Sequence, residues 1–208
     1  MVKLAGPLFS LEASGQLGDA LVFSKWKGRP YAREKVTPAN PRSGGQVGVR
    51  SMLKFLSQFW ASLDTATQGD WAARAEDMVV SPFNAYVSYN QRRWRNFLYP
   101  SQLDPADETG VAPSAPVVTG TAGVRQASLS IADGATPPDW GWAIFRSLTT
   151  GFTPTWSNCI AVVDATGGTP VTYIDTPLDA DTYYYKVIGF HTTGKGGTTS
   201  AEEDVVIT

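Results

Sequence analysis

A chain of 208 residues with 17 Lys/Arg against 19 Asp/Glu is almost neutral, and its 42% apolar and 12% aromatic content can build one large domain or two smaller ones. A single cysteine, Cys159, excludes an internal disulfide, and with only one histidine, His191, the paired spacings that hold zinc are absent. No apolar run approaches the roughly 20 residues of a membrane span, and no basic-apolar-small leader opens the sequence, so a soluble protein made in a cytoplasm is expected.

Gly6-Pro7, Gly15 and Gly18 punctuate the first 19 residues, which read as an arm with little core of its own. Ala20 to Trp26 is rich in strand formers, and Tyr31 to Val36 returns beside it as a hairpin turned at Gly28. Pro38 and Pro41 then forbid regular helix, because each pushes its predecessor to extended geometry. From Ser43 onward Val49, Met52, Leu53, Leu56, Phe59, Trp60 and Leu63 fall at helical spacing. Asp64 or Thr65 can cap a second helix carrying Trp71, Ala72, Ala75 and Met78. Ser81-Pro82 starts a third, with Phe83, Tyr86, Val87, Asn90, Trp94 and Phe97 along one side and Arg92, Arg93 and Arg95 in its last turns.

Residues 100–115, rich in proline and acid, read as a linker between a module at 1–99 and another at 116–208. The charge divides there as well. Residues 1–100 carry 13 Lys/Arg against 7 Asp/Glu, a balance of +6, and residues 101–208 carry 4 against 12, a balance of −8. Opposite blocks on one chain suggest two modules with different partners. Beyond the linker the hydrophobic period becomes two: strands are expected at Ala127 to Ile131, Trp142 to Arg146, Pro170 to Ile174, Tyr183 to Phe190 and Glu203 to Ile207. The expected fold is therefore an α+β N-terminal module, an extended arm or β-hairpin plus three helices, followed by an all-β sandwich.

The run Val171-Thr172-Tyr173-Ile174-Asp175, then Leu178 and the tyrosine-rich Thr182 to Val187, followed by Gly194 and Ser200, resembles the second half of a fibronectin type III domain. The resemblance covers roughly residues 113–208 and implies that Tyr183, or Tyr184 after a slip of one residue, is a corner tyrosine bonding upstream backbone. The family usually buries a Trp on its second strand; here Trp140 and Trp142 lie near the third. Residues 12–97, through Gly15, Gly18, Trp26, Gly28, Tyr31, Arg33, Pro38, Asn40-Pro41-Arg42-Ser43, Gln46, Arg50, Trp71 and Ser81 to Tyr86, are similar to uncharacterised structural proteins of tailed phages and prophages. That similarity implies a virion component, capsid decoration-like, made in a bacterial cytoplasm.

Nothing in the sequence assembles catalytic chemistry, and no enzyme, cofactor or metal is expected. Serine or cysteine hydrolysis needs a histidine beside the nucleophile, and His191 ends a strand beside a glycine-rich loop. In Thr193 to Thr199 the lysine, Lys195, is followed by Gly196 where a phosphate loop has Ser or Thr, and β structure rather than a helix is expected next, so the segment reads as the loop between the last two strands, a common recognition tip. Asp179 with Asp181, and Glu202 to Asp204, read as solvated carboxylates rather than a calcium site, and Cys159 as a small core hydrophobe.

Lys25, Lys27, Arg29, Arg33, Lys35, Arg42 and Arg50, interleaved with Trp26 and Tyr31, form the strongest electrostatic feature. Docking onto an acidic protein surface, with Trp26, Arg29, Tyr31, Arg33 and Arg42 as anchors, is preferred over nucleic-acid binding. Trp60, Trp71, Tyr86 and Trp94 hold either the helical core or a self-association face. The expected role is a non-enzymatic capsid decoration or auxiliary protein, anchored on the major capsid protein or another virion subunit. It is expected to form a homo-oligomer and to display the sandwich, with a host-surface glycan as a possible ligand of that domain. A tail or neck component, a nucleic-acid-binding protein and a carbohydrate-binding protein are the competing readings.

Overall fold

The computed structural model describes the backbone of residues 15–27, 29–36 and 43–208, and their side chains except those of Trp26, Arg29 and Pro30. The chain divides into two compact units, Met1–Pro41 and Arg42–Thr208. In the first, β1 (Gly15–Leu17), β2 (Leu21–Trp26) and β3 (Arg29–Glu34) form an antiparallel meander with β2 in the centre. The hairpin is as expected, and β1 extends it into part of the presumed arm. The expected turn glycine, Gly28, and the proline segment 37–42 lie outside the described residues.

The second unit holds three helices and seven strands. Helix α1 spans Gly44–Trp60, α2 Thr65–Met78 and α3 Pro82–Arg95. The Asp64 carboxylate accepts from the Thr67 amide at 2.8 Å and the Ser81 hydroxyl from the Asn84 amide at 3.2 Å, so the two caps legible in sequence start α2 and α3. No helix among the described residues is long and apolar enough to cross a membrane.

Strands β4 (Val117–Gly123), β5 (Gln126–Ala132) and β8 (Val171–Asp175) form one sheet, in the order β4-β5-β8. Strands β6 (Gly141–Ser147), β7 (Cys159–Asp164), β9 (Asp181–Phe190) and β10 (Glu203–Ile207) form the other, in the order β10-β9-β6-β7. All pairings are antiparallel. Two of the seven strands, β4 and β7, were not expected from sequence. Between the sheets lie Leu129 and Ile131 of β5, Trp142 and Ile144 of β6, Tyr185 and Val187 of β9, and Val205 and Ile207 of β10.

Strand β6 is buried from Gly141 to Phe145 without alternation, because the four-stranded sheet is covered on both faces. On its outer face Ala143, Phe145, Cys159, Ile188 and Phe190 pack with Met52, Phe55 and Leu56 of α1 and with Trp94 of α3. The unit thus has three layers: a three-stranded sheet, a four-stranded sheet, then helices. Phe55 touches Trp140 and Phe190, with ring centroids 5.1 and 5.5 Å apart. Helix α1 comes this close because Gly48 is bare: a Cβ there would lie 2.4 Å from the Trp156 carbonyl oxygen.

The module boundary expected near Pro100 is corrected by this packing. The helices, expected beside the hairpin in an N-terminal module, share a core with the sandwich instead. Residues 100–115 are no free linker but a strap hydrogen-bonded on both sides. The buried Asn90 side chain donates to the Ser101 carbonyl at 2.9 Å and accepts from the Ser101 amide at 2.7 Å. Trp71 Nε1 donates to the Gln102 carbonyl at 2.8 Å. On the sandwich side the amides of Gln102 and Asp107 donate to the carbonyls of Thr192 and Thr193, and the Thr198 amide to the Pro113 carbonyl. Asp104 and Glu108 pair with Arg74 and Arg93, so acids of the negative half are bound by arginines of the positive half.

Because helices, strap and sandwich share one core, denaturant unfolding of residues 42–208 should be one transition, with tryptophan fluorescence and far-UV circular dichroism coinciding. Asn90→Ala strands two backbone groups of Ser101 and should cost about 1–3 kcal/mol. Gly48→Ala should cost a similar ~1–3 kcal/mol through the forced retreat of α1. A separate low-stability helical transition would contradict the shared core.

Candidate partner interface

The meander β1-β2-β3 carries most of the residues singled out for docking. Its register sets Arg29, Tyr31 and Arg33 opposite Trp26, Ser24 and Val22, so these six positions share one face by strand alternation. Leu21, Phe23 and Lys25 alternate with Pro30, Ala32 and Glu34 on the other, and Leu17 stands opposite Leu21. Tyr31 is 42% exposed and Arg33 is exposed, as are Lys25 and Lys27. Lys27 adopts a φ of 47°, the left-handed conformation that a tight hairpin turn demands. Lys35 is tied to Asp19 by a 2.6 Å ion pair.

None of the meander residues whose side chains are described is buried, and Leu17 and Leu21 are exposed apolar residues. Of the five proposed anchors, Trp26, Arg29, Tyr31 and Arg33 therefore fall at neighbouring register positions, with Trp26 and Arg29 placed by backbone alone. Arg42 lies outside the described residues. Arg50, grouped with them by sequence, sits on α1 in the other unit.

The remaining candidates have structural employment. Trp71, Tyr86 and Trp94 are fully buried and Trp60 half-buried against Phe83 and Tyr86, so these rings build the helical core rather than a self-association face. The loop Thr193 to Thr199 is no open recognition tip: Gly196 lies against the Tyr99 ring, where a Cβ would approach to 2.2 Å, and the strap covers its neighbours. His191 Nδ1 accepts from the Asp139 amide at 3.2 Å. Asp179 pairs with Arg125, and Glu202 accepts from the Gly151 amide and the Thr150 hydroxyl, contacts that hold its carboxyl below the usual range, the Gly151 bond foremost. No group of three or more His, Cys, Asp and Glu suited to a metal occurs among the described residues.

Sequence reasoning passed over one further concavity, a trough of about 540 Å³ between α1, β7 and the end of β8. Val47, Arg50, Ser51 and Lys54 line it from one helical face, Ile160 to Val163 from β7, Tyr173 and Asp175 from β8 of the other sheet, and Pro177 from the segment that follows it. Arg146 Nη1 donates to Asp175 Oδ2 at 2.7 Å, and the Tyr185 hydroxyl donates to the same oxygen at 2.9 Å. Burial, with the Asp175 charge, pushes the Tyr173 phenol up to about 12.

The strand order β4-β5-β8 against β10-β9-β6-β7 is the three-plus-four arrangement of a fibronectin type III-like sandwich. The Tyr183 hydroxyl donates to the Asp179 carbonyl at 3.2 Å, four residues upstream, which fixes the corner tyrosine at Tyr183 rather than Tyr184. The chain therefore carries a C-terminal domain of that fold. Its inward Trp142 sits on the third sandwich strand, while Leu129 and Ile131 fill the second.

Solved structures similar to the chain include an Fn3-like protein from Clostridium thermocellum, 22% identical over 47% of this chain and 93% of that one, with a TM-score of 0.35. Another is a beta-1,2-glucanase from Parabacteroides distasonis, 19% identical over 49% of this chain and 13% of that one, TM-score 0.38. Chicken CNTN1 FN1-FN3 domains are 17% identical over 48% and 34%, TM-score 0.35. No family model and no curated protein matches the chain.

Cys159 is fully buried against the helices, and burial pushes its thiol up to about 12. At pH 8 native protein should resist alkylation by iodoacetamide for as long as it stays folded, and modification should appear with the unfolding transition. Rapid labelling of native protein would show that the layer between helices and sheet opens locally.

Proposed function

We propose that this chain is a non-enzymatic structural protein of a tailed-phage virion, a capsid decoration or auxiliary component. In this reading its basic N-terminal meander docks on the major capsid protein or another virion subunit, and the helix-covered sandwich is the displayed body. The observation that carries the docking is a three-stranded sheet with no buried side chain among those described, exposing Lys25, Lys27, Tyr31 and Arg33. Such a sheet gains independent stability only when a face is covered. An aromatic-and-arginine face matches the composition of interface anchors, and its charge favours an acidic partner surface. The virion setting is supported by the similarity of residues 12–97 to tailed-phage structural proteins.

The test is co-sedimentation of the full chain with purified capsids. Tyr31→Ala combined with Arg33→Glu should cut capsid affinity at least tenfold without moving the unfolding midpoint of the body. Unchanged capsid binding by that variant would overturn the anchor. Tight binding to duplex DNA that falls steeply with salt, in place of capsid binding, would move the chain to the nucleic-acid class.

A further inference from the structure

We infer that the trough between α1, β7 and β8 is a docking groove for a short, extended acidic peptide of a partner protein. This is independent of the meander and of the virion setting.

Among the described residues, three cations, Arg50, Lys54 and Arg146, line the trough against one acid, Asp175. Asp175 is already committed: its Oδ2 accepts from both Arg146 and Tyr185, and its side chain is only 9% exposed. Arg146 spends one of its five donors on that bond and keeps a side chain 31% exposed at the trough wall. Lys54 is exposed, and its ammonium has no partner among the described residues. Positive charge in a concavity with apolar walls attracts anions more strongly than the same charge on a convex surface.

Shape selects the occupant. The lining positions Val47, Arg50, Ser51 and Lys54 follow one α1 face for about 10 Å. Ile160 to Val163 run beside them for a similar ~10 Å, about three residues of extended chain. The cations of α1 and β6 are set against apolar surface, Ile160 to Val163 of β7 with Val47 and Pro177, so the trough fits a chain bearing both carboxylate and apolar side chains better than a bare inorganic anion. Strand addition at the β7 edge is obstructed, because the Val162 amide already donates to Ser51 Oγ at 2.6 Å. Side-chain charge, not a shared backbone ladder, is what the groove offers a peptide.

The experiment is fluorescence anisotropy of a labelled Glu-Leu-Glu-Leu-Glu peptide with the full chain. Saturable binding should weaken at least tenfold in Lys54→Glu and, independently, in the charge-preserving Val47→Trp, which fills the trough. The same peptide with Lys in place of Glu should not bind, and Lys195→Glu, a charge change on the loop after β9 and away from the trough lining, should leave affinity as it was. Equal weakening by Lys195→Glu, no response to Lys54→Glu and Val47→Trp, or displacement of the peptide by low millimolar inorganic phosphate would overturn the proposal. Matching unfolding midpoints confirm that the variants are folded.

Discussion

The four-stranded sheet is apolar on both faces, and the rest of the body follows from that constraint. Trp142, Ile144, Tyr185 and Val187 point to the facing sheet, while Ala143, Phe145, Ile188 and Phe190 point outward. A fibronectin-like sandwich standing alone would expose that second set to water. Burying each large side chain contributes about 1.5–3 kcal/mol, so α1 and α3 are a structural necessity for this sheet and not an appended module. The aromatic cluster at the contact, with Phe55, Trp140, Phe190 and Tyr99 within ring-contact distance, adds geometric selectivity to that burial.

The strap completes the same layer. Tyr99 stacks on Phe190 at 5.4 Å and seals the end of the helix-sheet interface, and the Asn90–Ser101 pair satisfies backbone that the turn out of α3 would otherwise leave buried and unpaired. Tyr86 and Tyr99 also have phenols pushed far above their ordinary range by burial alone or burial first, which marks how dry this layer is. The charge division at Pro100 thereby acquires a local use. Arg74 and Arg93 meet Asp104 and Glu108 at the junction, so part of the opposition between the halves is consumed in holding them together.

How much of this was legible depended on whether a signal was local. Helix starts were legible because a cap is a short-range bond: the residues alone narrow the start of α2 to Asp64 or Thr65, of which Asp64 is the cap, and place that of α3 at Ser81-Pro82. Strands with an alternating face, such as β5 and β9, were legible for the same reason. Strand β4 was not, since its two glycines and threonines at a sheet edge leave no apolar alternation, and β7 is an apolar run with helix on one side and sheet on the other. Proline and acid content mistook the strap for a linker, because composition cannot show where backbone amides find partners. The unbroken run Trp140-Gly141-Trp142-Ala143-Ile144-Phe145 did carry the missing fact: a strand without polar alternation is covered twice.

The trough illustrates the limit of sequence reading from the other side. Its cations come from α1 and β6 and its acid from β8, residues up to more than one hundred positions apart with no spacing rule between them. They converge only because α1 must cover the doubly apolar sheet, and in covering it the helix lays Arg50 and Lys54 along the side where both sheets end, β7 in one and β8 in the other. The constraint that makes the core thus also makes the groove. A helix placed elsewhere on the sheet would leave Arg146 and Asp175 as an isolated pair on the rim, where an ion pair contributes little.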